Sequence, residues 1–170
     1  MPRLFFALCP DDLVRRQIVN VMAKLPDTGK KVSPQNLHAT LAFLGSIPED
    51  RVECYIEAAS QLKVHPFNLL LDTREWWRRS QVTSLGISET PTQLVKLVND
   101  LNKAIEHCGY TPNDRPFRFH VTLMRKMKHP VNPFHFDPIP WLVRNFNLIE
   151  SHTHPEGVKY RVIQSWDFMG

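Results

Sequence analysis

One eight-residue pattern occurs twice in the chain, and it constrains the fold more than any other feature. Pro34-Gln-Asn-Leu-His38-Ala-Thr40-Leu41 in the first half is matched by Pro116-Phe-Arg-Phe-His120-Val-Thr122-Leu123 in the second. Pro, His, Thr and Leu stand at the same offsets, while Leu is matched with Phe and Ala with Val. Each copy also follows a predicted strand and a predicted helix. A unit used twice within 170 residues predicts two pseudo-symmetric lobes, roughly 1–80 and 81–170, forming a single domain over 1–170 with strand exchange at the C-terminus.

Strand geometry gives the repeat its chemical meaning. Successive side chains point to opposite faces, so residues two apart share one. His38 and Thr40 are therefore expected on one face, with Leu37, Ala39, Leu41 and Phe43 on the core side. His120 and Thr122 share a face likewise, opposite Phe119, Val121 and Leu123. A twofold between the lobes would bring the two His/Thr faces together across a cleft.

The remaining chain reads as an alternation of strands and helices. Arg3 to Cys9 is a predicted strand, with Phe5 and Phe6 on opposite faces. Asp11 or Asp12 caps a helix whose apolar positions are Val14, Ile18, Val21, Met22 and Leu25. Leu37 to Leu44 is the next strand. Pro48-Glu49-Asp50 opens a helix carrying Val52, Ile56, Ala59 and Leu62 on one face. Phe67 to Leu71 and Gln81 to Ser88 read as strands on either side of Trp76-Trp77-Arg78-Arg79. Thr90, Pro91 and Gln93 form a capping box before the stripe Leu94, Leu97, Leu101 and Ile105, which Gly109 ends. Phe117 to Met124, Trp141 to Ile149 and Lys159 to Phe168 complete the strands. A proline-rich loop is expected over Lys126 to Pro140 and another around His152 to Gly157. The fold class is α+β, with two antiparallel-rich sheets flanking a central cleft and helices outside.

Composition fits a soluble domain: 42% hydrophobic and 22% charged residues. The net charge of +4 mildly favours an anionic partner. Cys9, Cys54 and Cys108 are few, odd in number and widely spaced, so they read as reduced thiols in a cytoplasmic protein. No apolar run approaches the length of a membrane span. No Gly-rich phosphate loop or dinucleotide fingerprint is present.

Two imidazoles and two hydroxyls suit phosphodiester cleavage. One imidazole takes a proton from the attacking water and the other returns one to the leaving oxygen, each role being worth roughly 10²- to 10⁴-fold. Thr hydroxyls can hydrogen-bond the non-bridging oxygens as charge gathers there. A strained cyclic phosphate needs no Lewis acid, so no metal or other cofactor is expected.

These residues resemble the two-histidine (2H) phosphoesterase superfamily, which carries two His-x-Thr-x motifs, and within it the RNA 2′,3′-cyclic phosphodiesterases, historically named 2′-5′ RNA ligases. The resemblance runs through Arg3-Leu-Phe-Phe-Ala, through Asn36-Leu-His38-Ala-Thr40-Leu-Ala-Phe-Leu-Gly45, and through Arg115-Pro-Phe with His120-Val-Thr122-Leu-Met-Arg125. It implies a bilobal fold and hydrolysis of a terminal RNA 2′,3′-cyclic phosphate to a 2′-phosphate. It also implies His38 as proton donor, His120 as acceptor, and a reverse reaction that joins RNA ends. Thr40, Thr122 and Arg125 are the expected substrate-binding residues, although simple alternation places Arg125 on the face opposite His120. The expected partners are RNA with cyclic phosphate ends or cyclic nucleotides. A monomer is expected, with no membrane association.

Other features carry less. His152-x-His154 with Glu156 is a poor metal set, being neighbours in a predicted loop. His65, His107, His129 and His135 read as surface residues. Arg118 shares the His120 face but reads as solvated. Trp76 to Arg79 combine stacking planes with charge, a mixture that suits single-stranded RNA. The competing readings are another 2H enzyme (an ADP-ribose cyclic phosphate hydrolase or an RNA 3′-end exonuclease), a non-catalytic RNA-binding module and a purely structural protein.

Overall fold

A computed structural model describes residues 1–170. In chain order the elements are β1 (Arg3–Leu8), α1 (Asp12–Met22), β2 (Lys30–Lys31), β3 (Ala39–Ser46), α2 (Glu49–Ser60), β4 (Phe67–Leu71), β5 (Thr73–Trp77), β6 (Val82–Gly86), α3 (Thr92–Ile105), β7 (Val121–Arg125), β8 (Ile139–Val143), β9 (Asn145–His154) and β10 (Gly157–Asp167). The class is α+β, as the alternation of periodicities predicts.

The helices form where apolar spacing and capping agree. Asp11 accepts a hydrogen bond from the Val14 N–H at 2.9 Å, and Val14, Ile18, Val21 and Met22 are buried behind it. In α2 the acidic Glu49 and Asp50 occupy the first turn, where they complement the helix dipole. The capping box expected before α3 does not form. The Pro91 carbonyl receives the Leu94 and Val95 N–H groups at 3.1 and 3.3 Å, so the helix begins at Thr92 and Thr90 lies outside it. At its far end α3 tightens into a 3₁₀ turn over Glu106–Cys108, and Gly109, at φ 104°, reverses the chain. No helix is long and apolar enough to cross a membrane.

Three antiparallel sheets assemble from these strands. One has the order β10-β9-β1-β3, a second β2-β7-β6-β5, and β4 pairs with β8 alone. The C-terminal strands thus complete the sheet begun by β1 and β3. A single cluster of 36 buried side chains runs beneath both larger sheets, so the two halves share one core. The predicted strand over Trp141 to Ile149 is in fact two strands. Its first part pairs with β4 and its second with β1, and the chain changes sheets at Arg144. The expected loop around His152 to Gly157 shrinks to a tight turn, because β9 continues to His154 and β10 starts at Gly157.

The cysteine expectation is overturned for two of the three residues. Cys54 on α2 and Cys108 at the end of α3 form a disulfide. Sequence spacing could not show that α2 and α3 lie side by side. Bridging residues 54 positions apart restricts the unfolded chain by up to about 4 kcal/mol. Cys9 stays free, and burial pushes its thiol up to about 11, so it is a poor nucleophile.

Candidate active site

Both repeat histidines stand one residue before a strand, at the entry to β3 and β7. Each ring is oriented by the same local contact. His38 Nδ1 donates to the Asn36 carbonyl at 2.7 Å, and His120 Nδ1 donates to the Arg118 carbonyl at 3.0 Å. A carbonyl only accepts, so each neutral ring carries its proton on Nδ1 and leaves Nε2 free. His38 Nε2 lies 3.1 Å from the Thr40 hydroxyl.

The strands that follow share an irregularity. Phe6 and Ala7 of β1 face Ala42 and Thr40, so Leu41 is an extra residue. Thr83 and Ser84 of β6 face Met124 and Thr122, so Leu123 is extra in the same way. Both bulges fall on the Leu of His-x-Thr-Leu. A bulge shifts the alternation by one residue. Leu41 and Ala42 are therefore both buried, as are Leu123 and Met124. Phe43 and Arg125, which simple alternation assigned to the core side, emerge exposed instead. Phe43 is 55% exposed, which corrects its assignment to the core face. The bulge at Leu123 likewise returns Arg125 to the side of Thr122, and both line one cavity.

Two cavities lie against these residues, and the repeats interleave in them. The smaller, about 190 Å³, is lined by His38, Thr122, Arg125 and Tyr160 among others. The larger, about 680 Å³, is lined by His120, Thr40, Phe43 and Trp77 among others. Each cavity thus takes the His of one repeat and the Thr of the other.

The surroundings of the two rings differ. His38 packs on Phe5 at 4.9 Å between ring centroids and meets Tyr160 edge-on at 5.3 Å. Phe5 belongs to a small cluster with Ala7 and Ile149 on the cleft face of β1, whereas Phe6 is in the main core. Burial holds the His38 imidazole below its ordinary pKa. The hydrogen bond to Asn36 opposes that shift, while the charges of Arg125 and His120 reinforce it. Tyr160 is raised by burial, against the guanidinium of Arg125 beside it. His120 instead lies 5.4 Å from the Trp77 ring. Trp77 donates its indole N–H to Ser84 at 2.7 Å and carries the Arg118 guanidinium 4.6 Å over its ring. Arg118 is not a lone solvated charge, because it pairs with Glu75. Trp76, facing the other way, packs against the core and donates to the Met127 carbonyl.

The family model described as LigT like Phosphoesterase matches residues 10–82. An RNA 2′,3′-cyclic phosphodiesterase of Escherichia coli K12 is 32% identical over 168 residues, covering 96% of this chain and 95% of that protein. The chain belongs to the LigT-like phosphoesterase family. The corresponding enzyme of Archaeoglobus fulgidus is 27% identical over 97% of this chain and 99% of its own length. The crystal structure of Escherichia coli LigT with 3′-AMP superposes with a TM-score of 0.87 at 31% identity, covering all of both chains.

Elsewhere in this LigT-like chain, other polar groups are accounted for locally. His152 pairs with Glu150 at 3.0 Å on β9, and His135 with Asp137 at 3.3 Å. Cys54, His107 and Cys108 come within 4.8 Å of one another, but both sulfurs are committed to the disulfide. Neither cavity includes that trio. The site residue that sequence reasoning missed is Tyr160. It reaches His38 only because β10 folds back beside β9 at the edge of the sheet that holds β1 and β3, and nothing in its local sequence marks it.

Proposed function

We propose that this chain hydrolyses 2′,3′-cyclic phosphates at RNA ends to 2′-phosphates, with His38 and His120 as the acid–base pair. The observation that carries this reading is the interleaving of the repeats, which gives a phosphorus between the cavities an imidazole and a threonine from each side. His120 Nε2 takes a proton from water as the water oxygen bonds to phosphorus. The P–O3′ bond breaks, and protonated His38 Nε2 delivers its proton to O3′. The Thr40 and Thr122 hydroxyls and the Arg125 guanidinium hydrogen-bond the non-bridging oxygens. Bound nucleotides in solved Escherichia coli LigT structures (3′-AMP, ATP and NADP⁺) support a nucleotide-sized cleft in the family.

The lowered pKa of His38 has a consequence for binding. In the free protein this ring is neutral at pH 7, so the donor must gain its proton as the anionic phosphate arrives beside it. The phosphate charge acts against those of Arg125 and His120. A cyclic phosphate or an anionic analogue bound in the cleft is therefore expected to raise the His38 titration relative to the free protein, as followed by NMR of the imidazole.

The reaction run in reverse would join RNA ends through a 2′-5′ linkage. A monomeric, one-domain protein of two strand-exchanging lobes fits the shared core. A cytoplasmic setting now rests on the RNA substrate, since the cysteine pattern no longer supports it. The deciding experiment is product analysis on an RNA with a cyclic phosphate end, with and without EDTA. A 2′-phosphate in both conditions is expected. A 3′-phosphate, or a rate abolished by EDTA and restored by zinc or manganese, overturns the mechanism. Comparing ADP-ribose cyclic phosphate and an RNA with an unmodified 3′ end tests the sister chemistries of the superfamily.

A further inference from the structure

One wall of the smaller cavity is the two-residue strand β2, which the reaction above does not use. Its position is built in. A Cβ on Gly29 would lie 2.5 Å from the Arg125 carbonyl oxygen and 2.6 Å from the Met127 sulfur, so only glycine lets the chain approach β7 this closely. Lys30 and Lys31 then pair with Arg125 and Met124, and the Val32 N–H donates to the Leu123 carbonyl at 2.9 Å. The tip of the β9–β10 hairpin forms the facing wall, where the Asn36 amide donates to the Val158 carbonyl at 2.9 Å.

The charges on this wall are mostly unspent. Lys31 reaches Asp27 at 3.4 Å, but that carboxylate is almost wholly exposed, and such pairs contribute little. Glu156 is drawn to Lys159 at 3.6 Å. Neither Lys30 nor Arg125 forms an ion pair. The larger cavity is bounded by Phe43 and Trp77 and offers rings to a base. The smaller one is narrow and edged by cations, and offers charge to a phosphodiester chain.

We infer that Lys30 and Lys31, beside Arg125, form a subsite for the sugar–phosphate backbone of RNA. The protein then acts on cyclic phosphates at the end of an oligonucleotide in preference to free cyclic mononucleotides. This rests on the cyclic-phosphate reading of the cleft. A mononucleotide has one phosphate, which occupies the reaction centre and leaves the lysine wall empty. An oligonucleotide brings further phosphates to it and releases counterions there.

The test compares a short oligoribonucleotide ending in a 2′,3′-cyclic phosphate with 2′,3′-cyclic AMP, using wild type and K30A/K31A. The variant is expected to lose roughly tenfold in kcat/KM on the oligonucleotide and less than about twofold on the mononucleotide. The slope of log(kcat/KM) against log[salt] for the oligonucleotide should shallow by about 1.4, the value for two lost phosphate contacts on a single strand. K30R/K31R should keep the preference, and unchanged thermal unfolding would exclude damage to β2. Equal losses on both substrates, or no loss on either, overturn the subsite. Wild-type protein inert on both substrates would instead sink the cyclic-phosphate reading itself.

Discussion

The two halves of the cleft share a backbone and differ in chemistry. On both sides a histidine donates Nδ1 to the carbonyl two residues upstream, a threonine follows, and a bulge falls on the next leucine. Around that common frame, His38 is enclosed by Phe5, Tyr160 and Arg125, whereas His120 stands beside Trp77 and a surface ion pair. The position five residues after the histidine is an aromatic ring on one side and a guanidinium on the other. The repeat thus sets where the imidazoles stand, and the residues around it give the two rings different surroundings.

The largest expected effect tests whether both halves are needed. His38→Ala and His120→Ala should each lower kcat by at least about 10²-fold, with the double variant scarcely worse than either, since acid and base act as a unit. A single variant retaining wild-type rate would leave that half of the cleft without a catalytic role. Next comes the charge that distinguishes the halves. Arg125→Met should reduce kcat/KM by roughly 10- to 100-fold through loss of a charge-assisted hydrogen bond to phosphate. It should also move the His38 titration upward, as followed by NMR of the imidazole. Trp77→Ala should raise KM for a cyclic nucleotide by about tenfold with kcat little altered, if the base stacks there. A kcat loss without a KM change would make Trp77 a support for His120 instead.

Much of this was legible in the chain, and the exceptions have physical causes. The repeat, the opposite faces of Phe5 and Phe6, and the helix stripes follow from period alone. Phe43 and Arg125 escape that logic because one inserted residue inverts the alternation, and an extra leucine looks like any other in a strand. The disulfide and Tyr160 depend on elements meeting from distant parts of the chain. Thr90 has the chemistry of a cap, yet the Pro91 carbonyl takes up the first helical N–H groups and the helix starts later.

The smallest effect reads the asymmetry through stability. The folded-state pKa of His38 lies below the unfolded value near 6.5, so the unfolded chain binds the extra proton first. Stability should therefore fall as pH drops through 6.5, levelling off below the folded value, and His38→Gln should flatten that slope in urea unfolding between pH 7 and 5. An unchanged slope would mean that the ring is not sheltered as described.

The matching bulges bear on descent. Two identical half-length chains meeting about a true dyad would present equal imidazoles to the phosphate, with no fixed direction for proton flow across it. Within a single polypeptide each copy can differ, so an aromatic ring at Phe43 in one half stands against a guanidinium at Arg125 in the other. The direction of proton transfer proposed for this cleft is something that two identical chains about a dyad could not encode.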